Sequence, residues 1–286
     1  MRLDRAGGTR LQGILRTMSD SLRVQTLGLF RVWIDGELLP PVVWKREKAQ
    51  RLFQFLITVR LNDSHQVMPK ERIVAELWPS LDEKRADRDF KVALNALNDA
   101  LQPDRSARSL STYISRSGLA YGLDPDADIV IDAAEFRDGL KRAARLEAGD
   151  PDAAIEAYRA AIDLYQGDYL PDALYEDWSS LERERLHMLY LSGAMRLATL
   201  LMPRGGLQEA IQLCQSVLSL DRYWEEAYRI MMLSHALRGN RPLALRTYEQ
   251  CRQALRDGLG LEPMAGTTAL YQAIARGDPP EALLPR

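Results

Sequence analysis

Three stretches of this sequence can be laid over one another: GDPDAAIEAY (149–158), GGLQEAIQLC (205–214) and GNRPLALRTY (239–248). Each opens on Gly and carries Ala five residues later and Tyr or Cys four beyond that; the last two copies start 34 residues apart. Self-similarity at such a period limits the fold more than any single residue does. One copy cannot bury its own apolar face, so copies must stack on one another. The small Ala lets paired helices approach closely, and a left-handed Gly ends the helix before it. The spacing predicts helix after helix from Asp132 onward, stacked as a curved solenoid with a concave face for partners. The first two copies start 56 residues apart, so YLPDALYEDWSSLERERLHML (169–189) holds an insertion or a longer, atypical helix.

The 34-residue period is that of a tetratricopeptide repeat. The first half of the chain follows other rules. LRVQTLGLFRVWIDGELL alternates apolar and polar residues and contains Asp35-Gly36, a hairpin signal because that turn needs positive φ. Three antiparallel strands are predicted near Leu22–Leu27, Leu29–Ile34 and Glu37–Leu39. WKREKAQRLFQFLITVR puts Ala49, Leu52, Phe53 and Leu56 on one face of a helix of about 14 residues. MPKERIVAELWP places Pro69 at a helix start and Pro79 just past its end, with Ile73, Val74 and Leu77 facing inward. EKRADRDFKVALNALNDAL (Glu83–Leu101) is a third helix, its core stripe Phe90, Leu94, Leu97 and Leu101. TYISRSGLAYGL (Thr112–Leu123) reads as two short strands around Ser117-Gly118. Three helices and then a hairpin is the order of a winged helix-turn-helix. The expected fold class is therefore an α+β winged helix-turn-helix domain over 22–124, followed by an all-α tetratricopeptide-like repeat domain over 130–277. A poorly ordered lead-in over 1–21 and a tail over 278–286 complete the chain.

Composition sets the bounds. The 286 residues suffice for two domains, and 46% apolar with 27% charged residues describes a globular chain. The net charge of −2 hides an asymmetry: 16 Lys and Arg against 12 Asp and Glu over 21–123, but 18 against 26 from 124 onward. A basic half beside an acidic half suggests different partners, one of them a polyanion. No apolar run approaches the roughly 18–20 residues of a membrane span, and the first 21 residues lack the apolar core of a secretory signal. Cys214 and Cys251, both in helical patterns, read as small buried hydrophobes in a reducing cytoplasm. His65, His187 and His235 are scattered, without metal-ligand spacing. There is no phosphate-binding Gly-rich loop and no nucleophile elbow. Neither an enzyme nor a metal or cofactor is expected.

The third helix carries a second stripe. Arg88, Lys91, Asn95, Asn98 and Gln102 recur at intervals of three and four, and none is acidic. Arg can bridge guanine O6 and N7, while Asn or Gln can pair with adenine N6 and N7. Arg88, Lys91, Asn95 and Asn98 are the expected base readers. Lys45, Arg46 and Lys48 at the start of the first helix, Lys84 and Arg85 opening the third, and Arg116 near the wing tip are the expected phosphate contacts. A solvated helix face has the same composition, and Asp87, Asp89 and Asp99 lie nearby; position after two helices and before a hairpin favours the groove. In the helical half, Trp178, Tyr190, Tyr223, Trp224, Tyr228 and Tyr248 read as helix packing, with an aromatic-lined ligand site as the alternative.

The order strand, Asp-Gly, strand, then WKREKAQRLFQFL, PKERIVAELW, ADRDFKVALNALNDAL and GLAYGL resembles the OmpR-type DNA-binding domain of the SARP family of bacterial regulators. The helical part, ending on YEQCRQALRDGLGLEPMAGTTALYQAI, resembles the bacterial transcriptional activation domain that follows it there. The likeness covers Leu22 to Gly277. It implies a transcription activator that binds direct repeats in double-stranded DNA as a homodimer and recruits RNA polymerase. The recognition role falls on Ala86–Leu101 and the wing on Thr112–Leu123. One departure is clear: family members carry a Leu-Arg-Arg-like segment where this chain has Leu97-Asn98-Asp99, which removes positive charge near phosphate. The alternative is a protein-interaction scaffold or small-molecule sensor whose winged domain binds DNA weakly or not at all. The family also includes long regulators with an ATPase module ahead of these domains, so the resemblance fits both a fragment and a short independent form.

Overall fold

The computed structural model describes residues 21–62, 67–103 and 111–284. Nearly all of the lead-in expected over 1–21, His65 and the end of the tail lie outside them. The chain divides into two compact units: residues up to Gln25 with Arg31–Ile131, and Thr26–Phe30 with residues from Asp132 onward.

In the first unit, β1 (Leu22–Gln25) pairs antiparallel with β2 (Arg31–Ile34), Leu22 opposite Ile34. Next, β3 (Glu37–Leu38) returns along β2 with Ile34 opposite Glu37, leaving Asp35 and Gly36 as the two-residue turn at φ +52° and +83°. Both positive angles belong to the primed turns that match strand twist. The strands are shorter than the alternation predicts, because Thr26–Phe30 leaves the sheet for the second unit.

A 3-10 turn over Pro41–Trp44 precedes α1 (Glu47–Asn62), so the first helix begins later than its sequence pattern suggests. Trp44 instead stacks on Phe53 with ring centroids 5.8 Å apart. The strand β4 (Val67–Pro69) leads directly into α2 (Lys70–Leu77), which buries Ile73 and Leu77 but leaves Val74 half-buried. The long α3 (Glu83–Leu101) follows, and then β5 (Ile114–Ser117) and β6 (Ala120–Leu123) around Gly118 at φ +62°. The hairpin expected over Thr112–Leu123 is present as β5 and β6, and β4 joins it in a three-stranded sheet in the order β4-β6-β5. A further strand missed by pattern, β7 (Ile129–Ile131), runs parallel to β1 and completes a four-stranded sheet, β3-β2-β1-β7.

The second unit is helical in three successive pairs: α4 (Asp132–Leu146) with α5 (Pro151–Ile162), α6 (Asp177–Leu201) with α7 (Leu207–Leu220), and α8 (Glu225–Leu237) with α9 (Arg241–Leu259). Then α10 (Ala265–Arg276) closes on α9. Each repeat copy opens the second helix of a pair, and Ala154, Ala210 and Ala244 are fully buried there. Gly205 and Gly239 take the expected left-handed cap at φ +78° and +75°. Gly149 does not adopt that conformation, a departure in the first copy. The longer interval between the first two copies is explained by a 3-10 turn at Pro171–Ala173 and by the 25 residues of α6. At the head of α4, buried Asp132 accepts from Thr26 N (2.8 Å), Thr26 Oγ1 (2.6 Å), Leu27 N (2.9 Å) and Ala133 N (2.8 Å).

Candidate nucleic-acid interface

Asp82 starts α3 by accepting from Arg85 N at 3.0 Å, which satisfies one of the donors that every helix N-terminus leaves over. The buried side of α3 is broad and built largely of small residues: Ala86, Phe90, Ala93, Ala96, Leu97, Asn98, Ala100 and Leu101. Leu94, expected in the core, is only half-buried, since the alanines let neighbouring elements close on the other flank. Phe90 fixes the rotation of the helix. Its ring meets Tyr121 of β6 edge-on at 5.0 Å and Trp78 at 6.2 Å.

Two further ties hold α3 in place. Lys70 donates to Asp87 Oδ1 at 2.6 Å and Lys91 approaches Asp87 Oδ2 at 2.7 Å. These hydrogen bonds hold the Asp87 carboxyl down at about 2. At the far end, Gln102 Nε2 donates to Thr112 Oγ1 (2.6 Å) while its Oε1 accepts from Thr112 N (2.9 Å), linking the helix to the residues leading into β5.

With that rotation fixed, Lys84, Arg85, Arg88, Lys91 and Asn95 are all exposed. The Arg88 side chain is 72% exposed, with Asp89 at 3.7 Å, too far for a strong pair. Arg85 lies 3.3 Å from Asp82. Asn98 departs from the expectation: it is buried, and its Oδ1 has no hydrogen-bond partner. Seven residues after exposed Lys91, it has nearly the same angle on the helix, so its burial reflects its place near the C-terminal end of α3 and not the rotation of the helix.

The candidate phosphate contacts divide in the same way. Lys45 and Arg46 are exposed just before α1, Lys45 in the left-handed region at φ +51°. Lys48 is instead turned inward, donating to Leu77 O at 2.7 Å and lying 5.8 Å above the Trp78 ring. There it satisfies a terminal carbonyl of α2. Arg116 donates to Gly118 O at 2.9 Å and lies over Tyr121, so the β5–β6 turn holds its cation in place. Lys70, Tyr121 and Thr112 escaped the sequence reading. The Asp87–Lys91 spacing of four was the one visible signal.

Among the described residues no group of three His, Cys, Asp or Glu side chains could hold a metal, and no helix is long and apolar enough to cross a membrane. Cys214 and Cys251 are buried, and burial pushes both thiols up to about 12, far from a nucleophile's range. The aromatics of the helical unit divide in use. Tyr190 stacks on Tyr165 and Tyr248 on Tyr271, whereas Tyr223 and Trp224 line a cleft of about 490 Å3 with Leu255, Leu259, Leu261 and Met264.

The chain thus joins in sequence a small α/β unit with an exposed cationic helix face and a helical repeat unit. The bacterial transcriptional activator domain matches residues 131–275, and the chain belongs to that family, the SARP-type transcriptional regulators. Over 262 residues it is 27% identical to the regulatory protein AfsR of Streptomyces coelicolor, covering 91% of this chain and 25% of that protein. It is 24% identical over 232 residues to the transcriptional regulator RedD of the same organism, covering 78% of this chain and 64% of RedD. The chain thus spans a quarter of the first relative and less than two thirds of the second. Mycobacterium tuberculosis EmbR, solved in complex with a low-affinity phosphopeptide, shares the fold at a TM-score of 0.75 and 17% identity, over 92% of this chain and 68% of EmbR.

Proposed function

We propose that this regulator is a sequence-specific DNA-binding transcriptional activator. Its first unit is a winged helix-turn-helix of OmpR type that lays α3 in the major groove of double-stranded DNA, with β5 and β6 as the wing. Arg88, Lys91 and Asn95 face base edges. Lys45, Arg46, Lys84, Arg85 and Arg116 face phosphates. The helical unit makes the protein contacts, with RNA polymerase, an effector or a second copy of the chain.

The observation that carries this reading is the exposed row of Arg88, Lys91 and Asn95 on a helix whose opposite side is pinned by Phe90 between Trp78 and Tyr121. Arg88 and Asn95 lie seven residues apart, roughly 10.5 Å along the axis at 1.5 Å per residue. That is about three base-pair steps of ~3.4 Å, a reach suited to one recognition helix. Binding exchanges the Lys91–Asp87 pair for a DNA contact, and Asn98 takes no direct part.

Fluorescence anisotropy of the protein on duplexes from its own upstream region, at several salt concentrations, tests the proposal. Salt-dependent, sequence-selective binding that weakens in an Arg88→Ala/Asn95→Ala variant of unchanged thermal stability is the expected result. No binding at low salt would sink it. The alternative, a scaffold or small-molecule sensor, draws on two observations: Asp82, Asp87 and Asp89 partly neutralise the cations of α3, and the Tyr223–Trp224 cleft is open.

A further inference from the structure

The first half of α6 shows solvent a face that a lone helix pair has no reason to keep. Leu181, Glu184, Arg185 and Met188 fall at spacings of three and four on one stripe, and all are exposed, Leu181 by 76% and Met188 by 41%. The turn leading into the helix adds Leu174 and Tyr175, the latter 95% exposed. Contiguous apolar exposure of this kind marks an interaction surface. The opposite side of the same helix is well buried, through Ser179, Leu186 and Tyr190, so the exposed stripe is not needed for the fold of the unit.

The order of residues along the stripe names the partner. We infer that this face pairs with the same face of a second copy of the chain, α6 against α6 in antiparallel orientation about a twofold axis between residues 184 and 185. Such an axis sets Leu181 against the partner's Met188 and Glu184 against the partner's Arg185, each contact occurring twice, as an isologous interface requires. Apolar meets apolar and acid meets base with no residue of the stripe left over. A parallel pairing would set Glu184 against the partner's Glu184 and Arg185 against the partner's Arg185. A foreign helix would gain nothing from the palindromic order. Arg185 Nη1 lies 3.6 Å from buried Glu182 Oε2, and a guanidinium carries enough N–H donors to serve a second carboxylate.

This inference deepens the role proposed for the helical unit, yet it is tested without DNA, so a dimer that binds no duplex would sink the DNA reading and leave this one standing. Sedimentation velocity of the full chain should show a concentration-dependent dimer. Leu181→Glu should weaken it by roughly tenfold or more while leaving the circular dichroism of the dilute monomer unchanged, since the side chain is exposed in the single chain. For register, a Leu181→Cys chain is mixed with a Met188→Cys chain under mild oxidation. The twofold brings those two positions together, so the mixture forms a disulfide-linked pair. Either variant alone does not, because like positions are then about 10 Å apart along the axis, beyond the ~7 Å limit for a disulfide. A monomer at every concentration would overturn the inference. So would a dimer indifferent to Leu181→Glu that forms no 181–188 link.

Discussion

Lys70 Nζ lies 2.6 Å from Asp87 Oδ1, which ties the first residue of α2 to the flank of α3 through a single carboxylate. Lys91 holds the other oxygen of that carboxylate. The same acid therefore positions the helix and partly neutralises one of its proposed base readers.

Acid sensitivity follows from this arrangement. Asp87 is depressed from 3.8 to about 2 by hydrogen bonds from Lys70 and then Lys91. A lowered carboxyl pKa means that its stabilising effect is fully present above about 4 and lost as pH falls toward 2. Both pairs reach solvent, the Lys70 one only in part, so screening keeps the effect small. The Tm of the parent protein should fall more steeply between pH 4 and 2 than that of Asp87→Asn. Parallel curves would show that the carboxylate contributes nothing.

The two kinds of cation on unit one should behave differently on DNA. Arg88→Ala should cost about 1–3 kcal/mol on a preferred site and flatten the preference at one base position. Lys84→Ala should weaken all duplexes alike and reduce the salt dependence by about 0.9 in log–log slope. Anisotropy titrations on matched and scrambled duplexes separate the two effects. An Arg88→Ala variant with unaltered selectivity would remove it from the base readers.

Asn95 and Asn98 sit on neighbouring turns of the same helix and face opposite fates. Asn95→Ala should alter duplex selectivity and leave Tm unchanged. Asn98→Leu should keep or raise Tm, because its buried Oδ1 has no partner to lose. A marked drop in Tm for Asn98→Leu, read by calorimetry, would mean that the polar group holds the fold.

Asp132 gathers four donors at 2.6–2.9 Å in a buried site. Asp132→Ala strands all of them and should cost roughly 3 kcal/mol or more in urea unfolding. Thr26→Val removes only the hydroxyl contact and should cost about 1 kcal/mol. Equal losses in the two variants would show that the carboxylate is not the centre of the site.

The helices and the Asp35-Gly36 hairpin were legible because they rest on local signals: periodicity, turn chemistry and caps. The three residues of β7 carry no such signal, since their partner, β1, lies about a hundred residues earlier and parallel pairing leaves no turn to read. Strand β4 ends on Pro69, which a pattern assigns to the following helix. On α3 the polar stripe was visible but its rotation was not. Alanines mark a buried face weakly, yet Ala86, Ala93, Ala96 and Ala100 widen that face on one flank, while Asn98 is buried near the C-terminal end of the other. Lys48 likewise read as a helix-start cation, and only the end of α2, 29 residues away, gives it another use.

The interleaving of the two units has a consequence for how the chain acquires its shape during synthesis. Gln25 and Arg31 belong to one unit, but the five residues between them belong to the other. As the chain leaves the ribosome, β1 waits for β7, and Thr26 and Leu27 wait for a carboxylate at position 132 that emerges only afterwards. The second unit cannot finish from its own late stretch of chain alone, because it draws on five residues made before most of the first. Proteolytic or genetic scission at residue 131 would therefore not release two intact halves: the C-terminal piece would carry Asp132 without Thr26 and Leu27, and the N-terminal piece would carry their donors with nothing to receive them.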